Sequence, residues 1–137
     1  MNGPVIQLEK YQIEKLNYIL LEEEMSSEPK LEFNVSGGIS GDIETGKLTL
    51  ESSISQKRKD ENRRIDVTLV GYFKFNSEVS TIEKAQEYMS INGTAILLPY
   101  LRSITSMVTV LDSEEAIVFP TMNLMELMSN SNKETEE

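Results

Sequence analysis

Two residue types that commonly perform chemistry are missing from this chain, which has no histidine and no cysteine. Without an imidazole it lacks the usual general base, the commonest zinc ligand and the ordinary partner of a nucleophilic serine. Without a thiol it has neither a disulfide framework nor thiolate chemistry. Acids are abundant, 23 in all, and carboxylate pairs can catalyse alone, but no spacing singles out one pair. Binding rather than catalysis is therefore expected, with no metal and no other cofactor.

Three further patterns could carry a function. Gly41-Asp42-Ile43-Glu44-Thr45-Gly46-Lys47 has the glycine and lysine spacing of a phosphate-binding loop. Leu48 stands where a hydroxyl should reach magnesium, a strand pattern follows instead of a helix, and Asp42 with Glu44 would repel phosphate. A flexible hairpin loop explains the glycines better. Lys57-Arg58-Lys59 with Arg63-Arg64 is a basic cluster, but Asp60 and Glu61 interrupt it and no aromatic is interleaved. It reads as a solvated hairpin tip. Met107, Met122, Met125 and Met128 could form an adaptable binding surface or fill the core.

The elements that would position such residues follow from periodicity. In residues 66–75, Val67, Leu69, Gly71, Phe73 and Phe75 alternate with a mixed set, and residues 47–56 repeat the pattern with Leu48, Leu50 and Ile54. The two runs predict an antiparallel hairpin joined through Lys57 to Arg64. Leu31 to Val35 predicts a short strand ending at Ser36-Gly37-Gly38, followed by a mobile loop to Gly46. The first segment is ambiguous. Propensity favours a helix, while Ile6/Leu8 followed by Tyr11/Ile13 fits two strand frames offset by a bulge. Ser80-Thr81-Ile82-Glu83 has capping-box spacing and predicts a short helix to about Met89.

Tyr88 to Leu111 carries a single charge, Arg102, in a chain where 26% of residues are charged. Leu97, Tyr100, Leu101, Ile104, Met107, Val108 and Leu111 recur at helical spacing and should pack on the protein's own sheet. The opposite side, with Ser103, Thr105, Ser106 and Thr109, is small and hydroxylated rather than charged. That combination predicts a helix packed on its own domain and again on a second copy, with Pro99 in its first turn or kinking it. It should stop near Asp112. Asn123-Leu124-Met125-Glu126 predicts a last short helix. One domain over residues 1–128 and a disordered acidic tail over 129–137 complete the expected organisation.

A net charge of −10 and a pI near 4.5 oppose nucleic acid as a general partner. No apolar run suggests membrane insertion and no secretory signal is visible, so the cytoplasm is the expected compartment.

Ile96-Leu97-Leu98-Pro99-Tyr100-Leu101-Arg102, followed by Ile117-Val118-Phe119-Pro120-Thr121-Met122-Asn123-Leu124, resembles the SecB family of export chaperones. In that family the corresponding proline-rich loop ends in an Asn-aromatic pair, and here Leu124 replaces the aromatic. The order of strands, long helix, loop and short final helix is also similar. The resemblance implies an α+β fold: a four-stranded antiparallel sheet with helices on one face, residues 5–18 forming the first strand, assembling as a dimer of dimers. It implies a nucleotide-independent homotetramer that holds unfolded precursor proteins in hydrophobic grooves and can deliver them to the motor SecA. It places the client groove at Ile19, Leu20, Leu21 and Met25 on one side and Val118, Phe119, Met122 and Leu124 on the other. An oligomer interface is expected at Tyr100, Ser103, Ile104, Thr105, Met107 and Val108. The family's acidic SecA-binding positions are matched here by Lys15, Ile19 and Thr68, a departure that weighs against SecA as a partner. Some SecB-like proteins instead protect an antitoxin, which gives an alternative role; a non-chaperone oligomeric adaptor is another.

Overall fold

The computed structural model describes residues 4–112 and 116–120 of the 137-residue chain. The acidic tail, the helix expected from Asn123, and Met122, Leu124, Met125 and Met128 lie outside the described residues. Four strands, β1 (Ile6–Leu21), β2 (Lys30–Ile39), β3 (Thr45–Arg58) and β4 (Glu61–Phe75), precede two helices, α1 (Ile82–Tyr88) and α2 (Thr94–Val110), which a π-helical turn at Met89–Gly93 joins. The strands form one antiparallel sheet in the order β1-β4-β3-β2. The expected α+β architecture, a four-stranded antiparallel sheet with helices on one face, is present.

Alternation in β4 sends Ile65, Val67, Leu69, Gly71, Phe73 and Phe75 to one face, and register aligns them with Leu48, Leu50 and Ile54 of β3 and with Phe33 of β2. These residues are buried beneath the helices, and their packing is the core. β1 reaches the same face only because it is bulged. Its register slips between Leu8 and Lys10 and again between Ile13 and Lys15, and each slip restores the apolar set to the helix side. Two bulges convert alternation into a spacing that imitates a helix, which explains the conflict between propensity and fold in this segment.

Two expected loops are shorter than their polar composition suggests. The β3–β4 connection is a two-residue turn at Lys59-Asp60, and Lys59 takes a positive φ of 53°, as the first turn residue of a tight hairpin requires. Ladder hydrogen bonds do not need apolar side chains, so both strands run on through the charged residues. The glycine-rich stretch is not a mobile loop either. β2 continues to Ile39, and the turn after it is closed by Ser40 Oγ donating to Asp42 Oδ1 at 2.6 Å and by the Thr45 N–H donating to Ser40 Oγ at 3.0 Å. Close approach explains the glycines: a Cβ on Gly46 would lie 2.6 Å from the Met89 sulfur, and one on Gly71 would lie 2.7 Å from a Leu97 methyl. Glycine thus lets the π turn and α2 settle onto the strands.

The helical backbone runs from α1 through the π turn into α2 without leaving right-handed helical geometry. Thr81, rather than Ser80, caps α1 by accepting the Lys84 N–H at 3.2 Å. Pro99 lies well inside α2. Its missing donor would have served the carbonyl of Ala95, and both residues are exposed, so water can satisfy that group.

Candidate interaction surface

The two sides of α2 differ from the expected assignment. Its buried stripe consists of Thr94, Leu97, Leu98, Leu101, Thr105 and Thr109. The two later threonines tolerate burial because each hydroxyl donates back along the helix, Thr105 to the Leu101 carbonyl at 2.9 Å and Thr109 to the Thr105 carbonyl at 2.8 Å. Thr109 Oγ1 also accepts the Ile117 N–H at 2.8 Å, which pins the segment after the helix. Thr105, expected at an oligomer interface, therefore belongs to the core. Its hydroxyl is satisfied internally, leaving it no need of a solvent-facing position.

The outward side of α2 presents Tyr100, Ser103, Met107, Val110 and Leu111, with Met107 67% and Leu111 87% exposed. Ile104 and Val108 are half-buried against the core. Beside this row, the helix-facing side of β1 leaves Tyr11, Ile13, Leu16 and Leu20 well exposed. Tyr11 and Tyr100 stack with centroids 4.3 Å apart at 28°, joining the two rows. The result is a band with an apolar floor on an edge strand and an apolar wall on a helix. At its β1 start lies a hollow of about 440 Å³ lined by Pro4, Val5, Ile6, Tyr88, Asn92, Ala95 and Ile96. At its other end Tyr18 donates a 3.1 Å hydrogen bond to Asp112, which also pairs with Arg63 at 3.2 Å. Burial and that hydrogen bond raise the Tyr18 pKa, so the phenol stays a neutral donor.

The expected groove residues do not form one set. β1 alternation puts Leu20 on the helix side and sends Ile19 and Leu21 to the opposite face, where Leu21 and Met25 line a hollow of about 210 Å³. Val118 is 64% exposed. Phe119 is a correction: only 2% exposed, it meets Phe33 edge-on with centroids 6.3 Å apart, so its ring fills the core rather than a surface groove. Met122 and Leu124 lie outside the described residues. Sequence reasoning missed Tyr11, Ile13 and Leu16: the first bulge, which places Tyr11 and Ile13, was visible, while the second, which places Leu16, was not.

The opposite face of the sheet is polar. Asp66 there accepts Ser53 Oγ at 2.6 Å and Asn17 Nδ2 at 3.2 Å, with Arg64 Nε 3.3 Å away. Burial alone would raise the Asp66 pKa, but the Ser53 and Asn17 hydrogen bonds and the charges of Arg64 and Lys15 outweigh it and hold the carboxyl below its usual value. Such a group stabilises the fold above the unfolded carboxylate pKa, about 4, and loses that contribution as pH falls through its folded value. Acid titration of stability should therefore be shallower below about pH 4 in Asp66→Asn than in the parent, as followed by denaturant midpoints. Among the described residues no group of acids is arranged to hold a metal, and no helix is long and apolar enough to cross a membrane.

Comparison with known proteins gives two informative likenesses. No family model matches the chain. An uncharacterized protein of Methanocaldococcus jannaschii is 26% identical over 141 aligned positions, which cover 96% of this chain and 88% of that one. A SecB-like chaperone of Mycobacterium tuberculosis, solved with a ChAD peptide from an antitoxin, superposes with a TM-score of 0.67 over 86% of this chain and 91% of its own, at 13% identity. The chain has a SecB-like fold. A protein of unknown function from Streptococcus agalactiae overlaps more loosely, with a TM-score of 0.44 at 12% identity over 85% of this chain and 97% of that one. The likeness to the M. tuberculosis chaperone agrees with the fold expected from the resemblance.

Proposed function

We propose that the protein is a holding chaperone that binds non-native polypeptide, without nucleotide, along the apolar band between β1 and α2. The observation that carries this reading is the band itself. Tyr11, Ile13, Leu16, Leu20, Tyr100, Met107 and Leu111 all stay exposed, whereas an ordinary surface of this size would be charged. Extended chains would bind by burying their own apolar side chains there, at roughly 25 cal/mol per Å² before ordering costs. Weak contacts spread along a band suit a holder, since release needs only a competing partner or folding of the client. The test is to compare binding of a chemically unfolded polypeptide with binding of its folded form, without nucleotide. Clear preference for the unfolded form supports the reading, and equal or absent binding contradicts it.

A dedicated role has its own support. The M. tuberculosis protein of similar fold was solved holding an antitoxin peptide, which favours a single client over general export. Lys15, Ile19 and Thr68 give no acidic SecA site. A dedicated chaperone binds one sequence tightly and unrelated unfolded chains weakly, so a panel of unfolded proteins separates the two roles.

A dimer of dimers in the cytoplasm would form through the same outward side of α2, so self-association and client binding would compete for Tyr100, Met107 and Leu111. Ser103 sits between Tyr100 and Met107 on the outward side of α2, where a second copy could cover it. Ser103→Asp should then lower the native mass while leaving the circular dichroism spectrum unchanged, because the substituted side chain is exposed in the single chain. An unaltered mass would count against this interface.

A further inference from the structure

Strand register sorts the charges as well as the apolar residues. More than half of the chain's 13 lysines and arginines stand on the helix-free face of the sheet, although the net charge is −10. Toward the β3–β4 turn these cations are answered, Lys57 by Glu24 and Arg64 by Asp66. Toward the other end they are not. Lys10 and Lys47 are the direct cross-strand neighbours of Tyr72, and Lys74 follows two residues along on the same face. All three lysines are exposed, as is Lys15. Among the described residues, Lys10, Lys15 and Lys74 form no ion pair, and Lys47 has only Glu14, 3.9 Å away. Glu51, opposite Thr68 in the next strand, and Asp66, two residues from Thr68 on the same face, are the other acids nearby by register.

We infer that this lysine-rich end of the sheet face docks an acidic segment of a partner protein. Clustered like charges on neighbouring strands oppose folding, and carboxylates from outside would relieve that repulsion within a Debye length of about 8 Å. A nucleic acid fits less well. Lys10 Nζ covers the Tyr72 ring at 4.8 Å and Gln12 donates to its hydroxyl at 3.2 Å, so the ring is not an open stacking platform. The large negative charge of the whole protein also repels a long polyanion. The face lies across the sheet from the β1–α2 band, so both surfaces can be occupied at once, and this inference does not depend on the chaperone reading.

The test is a fluorescence titration with a labelled Glu-Ser repeat peptide and, in parallel, with an oligothymidylate. The peptide should bind at low salt and release as salt rises. Lys10→Gln, Lys47→Gln and Lys74→Gln together should weaken it about tenfold or more, whereas arginine at the same three positions should retain it. No peptide binding at low salt, equal binding by the glutamine variant, or tighter binding of the oligothymidylate would each overturn the assignment.

Discussion

Phe119→Ala should destabilise the protein by about 3–5 kcal/mol, the usual cost of emptying a buried phenylalanine site. The ring is 2% exposed and meets Phe33 edge to face, and such aromatic pairs contribute beyond simple area burial. The segment that carries it is also tied down, since the preceding Ile117 is fully buried and donates its N–H to the Thr109 hydroxyl. The substitution would therefore remove one of two anchors of the strap that follows α2. Val118, between them, is exposed, so Val118→Ala should stay within about 0.5 kcal/mol of the parent. Denaturant midpoints distinguish these outcomes. A Phe119→Ala variant of normal stability but impaired polypeptide binding would return Phe119 to the client surface.

Leu16→Asp combined with Leu20→Asp should leave the fold nearly unchanged and weaken binding of unfolded polypeptide by more than about tenfold. Both leucines face the helix side of β1 but are 44% and 60% exposed, so charge at these positions stays solvated in the free protein. In a complex the same carboxylates would be buried against apolar client side chains. Two lost leucine contacts, each worth about 1.5–3 kcal/mol when fully buried, account for the expected loss even after discounting for partial exposure. Titration of a labelled unfolded polypeptide against both proteins measures the effect, with thermal unfolding as the control. Unchanged affinity would remove β1 from the binding surface.

Much of the architecture was legible because the central strands are regular. Val67, Leu69, Gly71, Phe73 and Phe75 alternate without interruption, and the structure places them on one face. β1 was half legible. Its first bulge was visible in the shift from Ile6/Leu8 to Tyr11/Ile13, but bulges also create helical spacings, and only the resemblance to a known family favoured the strand. The two sides of α2 were misread for a chemical reason. Hydrophobicity sorts Tyr100, Met107 and Leu111 inward and Thr105 and Thr109 outward, yet a threonine that returns its hydroxyl to the helix carbonyls presents a methyl to the core. The predicted interface residues Tyr100, Ser103 and Met107 do lie on the outward side.

Site residues were the least legible part. Ile19, Leu20 and Leu21 look like one apolar cluster in sequence, but period-two alternation divides them between opposite faces. Phe119 sits next to a proline in a loop, a context that suggests exposure, whereas its partner Phe33 is 86 positions away in sequence. Only the fold could bring the two rings together. The charge asymmetry of the sheet was hidden similarly, because Lys10, Lys47 and Lys74 are scattered in sequence and gather only through register.

Hydrogen exchange of the protein with and without a bound unfolded polypeptide tests the central claim most directly. The account predicts added protection across Tyr11 to Leu20 of β1 and Tyr100 to Leu111 of α2, with β3 unchanged. Protection confined to β2 and β3, or none anywhere in the presence of saturating polypeptide, would contradict it.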